Sequence, residues 1–102
     1  MGKVLALDFD GVIHKYSGGY KDGSIYDDPM EGAVEGITKL KEAGYELIIY
    51  TTRPNIEDIK KWLMKHIGFE IEIADRKPKA MAYIDDRGIR FTNWKDVLNY
   101  FR

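Results

Sequence analysis

The run KVLALDF at residues 3–9 restricts the fold more than any other stretch. It is too short for a helix and carries apolar side chains on both faces, as a central strand of a parallel sheet does when covered on each side. The rest of the chain alternates to match. Met30, Ala33, Val34, Ile37, Leu40 and Ala43 recur at three- and four-residue intervals, which predicts a helix from about 30 to 43 with Pro29 at its entry and Gly44 as its stop. YELIIYT at 45–51 predicts a second buried strand. Asn55 can cap a helix over about 56–66, in which Ile59, Trp62, Leu63 and His66 share a face, and Gly68 ends it. EIEIA at 70–74 alternates like a strand at a sheet edge, AMAYIDD at 80–86 is a further strand, and GIRF at 88–91 a short one. Thr92 or Asn93 can cap a last helix through about Tyr100, and Trp62 and Trp94 read as helix packing residues. This order predicts a single α/β domain over 1–102, a mostly parallel sheet flanked by helices.

Between the first strand and the first helix lies KYSGGYKDGSIYDDP, residues 15–29, with the composition of a long, partly ordered loop. Tyr16, Tyr20, Ile25 and Tyr26 are expected to fold it onto the body, and Asp27 and Asp28 to precede and cap the first helix. His14 starts this loop, where it can touch a substrate; His66 falls near a helix end, and neither is expected to be a metal ligand.

Charge excludes some functions. Lys and Arg number 16 against 17 Asp and Glu, scattered along the chain, which gives no basic stripe for a phosphate backbone. Nucleic acid therefore enters only as a substrate. Without cysteine there is neither a disulfide framework nor a thiolate metal site. No signal-peptide pattern and no apolar run near the length of a span is present, so the cytoplasm is the expected compartment and no membrane partner is expected.

Ligands of open parallel sheets bind beyond the carboxyl ends of the strands. The residues that end these strands are Asp8 and Asp10, then Thr51, Thr52 and Arg53, then Asp85 and Asp86. Four carboxylates gathered at one edge repel one another unless some are protonated or a divalent cation joins them. Oxygen donors alone favour a hard ion, and Mg²⁺ commonly takes one or two carboxylates with waters and a substrate phosphate. Two acids two residues apart on a loop can face one reacting centre, one as nucleophile and one as general acid and base. Gly11 lets the turn bend and brings backbone amides near a phosphate, while Arg53 reads equally as a surface charge or a second phosphate ligand.

DFDGV, the apolar strand ending in Thr51, the KP at Lys77 and Pro78, and the late pair Asp85-Asp86 resemble the four motifs of the haloacid dehalogenase (HAD) superfamily, in order and over nearly the whole chain. The resemblance implies a three-layer α/β/α Rossmann-like core of about five strands in the order 3-2-1-4-5. It implies a Mg²⁺-dependent phosphomonoesterase in which Asp8 attacks a phosphoryl group to form an aspartyl-phosphate. Asp10 then protonates the leaving oxygen and later activates water. Thr51 would hydrogen-bond the phosphoryl oxygens, with Gly11, Thr52 and Arg53 as further substrate contacts. Lys77 would neutralise the nucleophile and the phosphate, with Lys79 its competitor. Asp86 would hold Mg²⁺ together with the Asp8 carboxylate and the Asp10 carbonyl, supported by Asp85. Larger members carry a cap domain; the 15–29 interval is too short for one, and capless members often take large, exposed substrates. The expected partner is thus a phosphorylated small molecule or macromolecular end.

Two other classes fit less well. A phosphoacceptor signalling domain places its acid pair at the first strand, its phosphorylated acid mid-chain and its lysine last, whereas this chain places an acid pair last with lysine before it. A non-catalytic phosphate- or partner-binding module with the same fold is the alternative, and the full complement of acids argues against it.

Overall fold

The structure, a computed structural model, describes residues 3–19, 21–75, 82–85 and 89–101. The chain is α/β. It runs β1 (Val4–Asp8), α1 (Ala33–Glu42), β2 (Glu46–Tyr50), α2 (Ile56–His66), β3 (Glu72–Ala74), β4 (Ala82–Asp85), β5 (Ile89–Arg90) and α3 (Trp94–Phe101). The strands stand in the order β3-β2-β1-β4-β5, and every pairing between them is parallel. β1 is interior, between β2 and β4, and its Leu5, Ala6 and Leu7 are fully buried. This is why its sequence is apolar at successive positions rather than alternate ones. β3 pairs with β2 alone, and Glu72 is exposed there, as its alternating sequence predicts. Among the described residues no helix is long and apolar enough to cross a membrane.

The first helix begins later than its periodicity predicts, and Asp27 and Asp28 do not cap it. The N-cap is Gly32, at φ 82°. The Met30 N–H is taken by the Ile13 carbonyl and the Lys15 N–H by the Asp28 carbonyl, so residues 28–30 run alongside the 13–15 segment before the chain can turn into helix. A tertiary pairing here overrides a local cap signal. Asn55 does stand at the N-cap of α2, but its side-chain amide donates to the Gly23 carbonyl instead of capping. Its own carbonyl accepts the Asp58 and Ile59 N–H groups, and the helix ends as expected before Gly68, at φ 95°.

α1 and α3 pack on one another through Gly36 and Trp94. A Cβ at Gly36 would lie 2.4 Å from the Trp94 ring, closer than side-chain carbons approach. Trp94 is 2% exposed and its indole N–H donates to the Val12 carbonyl at 2.9 Å, so the ring cannot yield without releasing the loop that follows β1. Gly36→Ala is therefore expected to destabilise by about 1–3 kcal/mol despite alanine's higher helix propensity. A urea midpoint at or above wild type would show that the two helices can spread at no cost.

Candidate active site at the carboxyl ends of the strands

β1 ends at Asp8, whose Oδ1 accepts the N–H of Phe9 at 2.8 Å. The chain then closes a tight loop on itself. The Phe9 carbonyl accepts the N–H groups of Ile13 and His14, each at 2.9 Å, and the Gly11 N–H donates to the His14 carbonyl at 2.8 Å. Gly11 sits at φ 82° with open space where a Cβ would be, so its need is conformational rather than steric. Phe9 is buried, while Asp8 and Asp10 on either side of it are half-buried.

β2 lies beside β1 with Asp8 opposite Tyr50, which puts Thr51 and Arg53 immediately beyond that pair. Thr51 is buried; its N–H donates to Ala74 of β3, and its Oγ1 accepts the Arg53 N–H at 3.1 Å. The Arg53 guanidinium grips Asp10 with two hydrogen bonds, Nε to Oδ2 at 2.8 Å and Nη2 to Oδ1 at 3.0 Å. Its Nη1 donates to the Gly23 carbonyl at 2.6 Å, and it lies over the Phe9 and Tyr16 rings. The Asp10 hydrogen bonds hold the guanidinium above its ordinary proton affinity, against the opposing effect of burial. At 10% exposed, Arg53 is not the surface charge that one reading of the sequence allowed.

His14 is fully buried, so it does not meet a substrate as its place at the loop's start had suggested. Its Nδ1 lies 2.8 Å from Asp10 Oδ1, and its Nε2 accepts the Asp27 N–H at 3.1 Å. A backbone amide can only donate, so the ring proton lies on Nδ1 and is given to Asp10. The sequence does carry a signal for this: a polar side chain closing the apolar VIH run, four residues after Asp10 across a glycine turn.

The 15–29 loop is ordered from its interior. Tyr16, at φ 57°, and Tyr26 close on the His14 ring, and Ile25 packs against the core. The Trp62 indole N–H donates to the Asp27 carbonyl, and the Tyr26 hydroxyl to the Gly19 carbonyl. Tyr20 lies outside the described residues. Asp27 accepts both the hydroxyl and the N–H of Ser17, which pull its pKa from 3.8 to about 2. A depressed carboxylate pKa contributes stability that is full above the unfolded value and is lost as pH falls through the folded one. The Ser17 amide resonance is accordingly expected to titrate with a midpoint near 2, and in Asp27→Asn to be flat over that range. A wild-type midpoint near the ordinary 3.8 would mean that the Ser17 contacts do not persist.

Beside Asp10 and Arg53 opens a cleft of about 610 Å³, walled by Tyr16 and Gly23 from the loop and by Thr52 and Asn55 from the segment after β2. Asp85 ends β4 one residue past Ile84, the partner of Leu7 in β1. The backbone thus brings the ends of three neighbouring strands together, carrying Asp8, Thr51 and Asp85. Lys77, Lys79 and Asp86 lie outside the described residues. Among the described residues no group of three His, Cys, Asp or Glu side chains is arranged to hold a metal ion.

A scan against protein-family models and searches of curated proteins and of solved structures each return no match.

Proposed function

We propose that the chain is a Mg²⁺-dependent phosphomonoesterase of the HAD type, with a three-layer core and no cap domain. The observation that carries this reading is the meeting of Asp8, Asp10, Thr51 and Arg53 where two adjacent parallel strands end, beside an open cleft. In the first half-reaction an Asp8 carboxylate oxygen attacks phosphorus. The bond to the leaving oxygen breaks, and Asp10 gives that oxygen a proton. In the second, water attacks the aspartyl-phosphate while Asp10 takes its proton; inorganic phosphate leaves and Asp8 is restored.

Local geometry supports these roles. The Phe9 N–H fixes one Asp8 oxygen and so orients the other. Thr51 Oγ1, as acceptor from the Arg53 N–H, keeps its own proton for a phosphoryl oxygen. An Asp10 oxygen that carries a proton is a poor acceptor, so the acid form of Asp10 loosens the Arg53 fork and frees guanidinium N–H groups for the phosphate. The donors fit a hard ion in kind, being oxygens only; Asp8 through its carboxylate and Asp10 through its carbonyl would hold it, joined by Asp86 with Asp85 in support. When bound, Mg²⁺ neutralises charge between the nucleophile and the phosphoryl oxygens. Lys77, or Lys79, supplies further positive charge.

The substrate is a phosphorylated small molecule or the phosphorylated end of a macromolecule, handled in the cytoplasm. One observation favours a second reading, a non-catalytic phosphate-binding module: both Asp10 oxygens are already engaged, by Arg53 and His14. Turnover of p-nitrophenyl phosphate with and without Mg²⁺ separates the two. Mg²⁺-dependent release of p-nitrophenol is expected. Phosphate binding without turnover, across nucleotides, sugar phosphates, phosphopeptides and oligonucleotide ends, would establish the binding module instead.

A further inference from the structure

His14 is buried, polar and unused by the reaction described above. Its ring stacks on Phe9 at 5.4 Å between centroids and meets Trp62 and Tyr26 edge-on at 5.7 and 5.4 Å. An imidazole in such a setting is costly unless both nitrogens find partners, and both do. A phenylalanine would fill the space without that demand. What it would lack is a directed donor.

We propose that His14 is a positioning residue that holds the Asp10 carboxylate in its working orientation and makes that orientation depend on the order of the 15–29 loop. The proposal rests on the phosphatase reading for its effect on rate. The link has two joints: the Asp27 N–H fixes the proton on Nδ1, and Nδ1–H holds Asp10 Oδ1. Arg53 also holds Asp10, and it too is tied to the loop, through Gly23. Arg53 faces the cleft and must release Asp10 in part to serve a phosphoryl group, whereas His14, sealed from solvent and locked at its far nitrogen, need not move. It keeps Asp10 in place when the guanidinium turns to the substrate.

Three variants of the whole chain separate positioning from packing. In His14→Asn the carboxamide nitrogen stands near the position of Nδ1 and can still donate to Asp10. His14→Gln can reach the Asp27 N–H but places no donor near Asp10. His14→Phe fills the cage and makes neither bond. With p-nitrophenyl phosphate and Mg²⁺, kcat of the Gln and Phe variants is expected to fall about 10- to 100-fold, the scale seen when a supporting hydrogen bond is removed. KM should stay near wild type, and the Asn variant should retain most of kcat. Thermal midpoints should run the other way, with Phe most stable and Asn least, because the smaller side chain leaves a void. Activity that follows stability, Phe above Asn, would overturn the proposal and leave His14 a packing residue. Independently of turnover, ¹⁵N NMR of wild type should find the imidazole proton on Nδ1, and the Asp10 carboxyl ¹³C resonance should move in His14→Phe but little in His14→Asn. A proton on Nε2 would overturn the proposal. A wild type that hydrolyses no phosphoester yet shows these resonances fails the phosphatase reading and still supports the positioning of Asp10.

Discussion

Asp8→Asn is expected to abolish Mg²⁺-dependent phosphatase turnover while leaving the fold intact. An amide oxygen is too weak a nucleophile to displace an alkoxide from phosphorus, so the loss should reach the limit of detection rather than a fractional decrease. The fold should survive because the asparagine carbonyl can still accept the Phe9 N–H that shapes the start of the site loop. Turnover near wild type, with a matching far-ultraviolet spectrum, would remove Asp8 from the role of nucleophile. A loss of turnover accompanied by unfolding would instead make Asp8 a structural acid, so the thermal midpoint belongs in the same experiment.

Asp10→Asn should behave differently, because its proposed role falls at two points of the reaction. An aryl phosphate with a good leaving group needs little protonation, so phosphoryl transfer to Asp8 should continue. Hydrolysis of the aspartyl-phosphate then lacks its base, and general acid–base help is typically worth ~10²–10⁴-fold. The mutant should release a burst of p-nitrophenol and gain the mass of one phosphoryl group, and the double mutant with Asp8→Asn should do neither. Steady hydrolysis by Asp10→Asn at the wild-type rate would refute the role given to Asp10. The substitution also deprives Arg53 of one charged oxygen, though the carbonyl left behind can still accept from His14 and keep the loop closed.

The parallel α/β character was legible because it is written in short-range pattern. KVLALDF is apolar on both faces and occupies an interior strand; the second helix spans Ile56–His66 as its spacing predicts. The gathering of Asp8, Asp10, Thr51 and Arg53 followed from the single rule that parallel strands present their carboxyl ends together. The misreadings have the opposite origin. Asp27 and Asp28 carry a sound local cap signal, and the Met30–Ile13 hydrogen bond overrules it. The shape of the 15–29 loop depends on Arg53 and Asn55 reaching Gly23 and on Trp62 reaching Asp27, partners 30 to 35 residues away that no local window contains. The place of His14 at the start of a polar loop points to contact with substrate, whereas its neighbours in space are aromatic.

The two tryptophan N–H bonds carry a consequence for how the molecule opens. Trp94 of α3 holds the Val12 carbonyl and Trp62 of α2 holds that of Asp27, so the acid-bearing loop is fastened at both ends to separate helices. Loops at functional sites ordinarily belong to the least protected part of a protein and exchange their amide hydrogens through small local fluctuations. The His14 amide, within that fastened stretch and bonded to the Phe9 carbonyl, is expected to meet solvent only when a helix also lifts. Its exchange is expected to follow the same large opening that exposes β1, while the Gly19 and Ser24 amides, bonded only within the outer turn, are expected to exchange through local fluctuations. The boundary between slow and fast amides is thus expected to run through one continuous loop, with the side that carries Asp10 in the cooperative unit of the core and the outer turn around Gly19 outside it, while Gly23 at the cleft wall stays tied to Arg53 and Asn55.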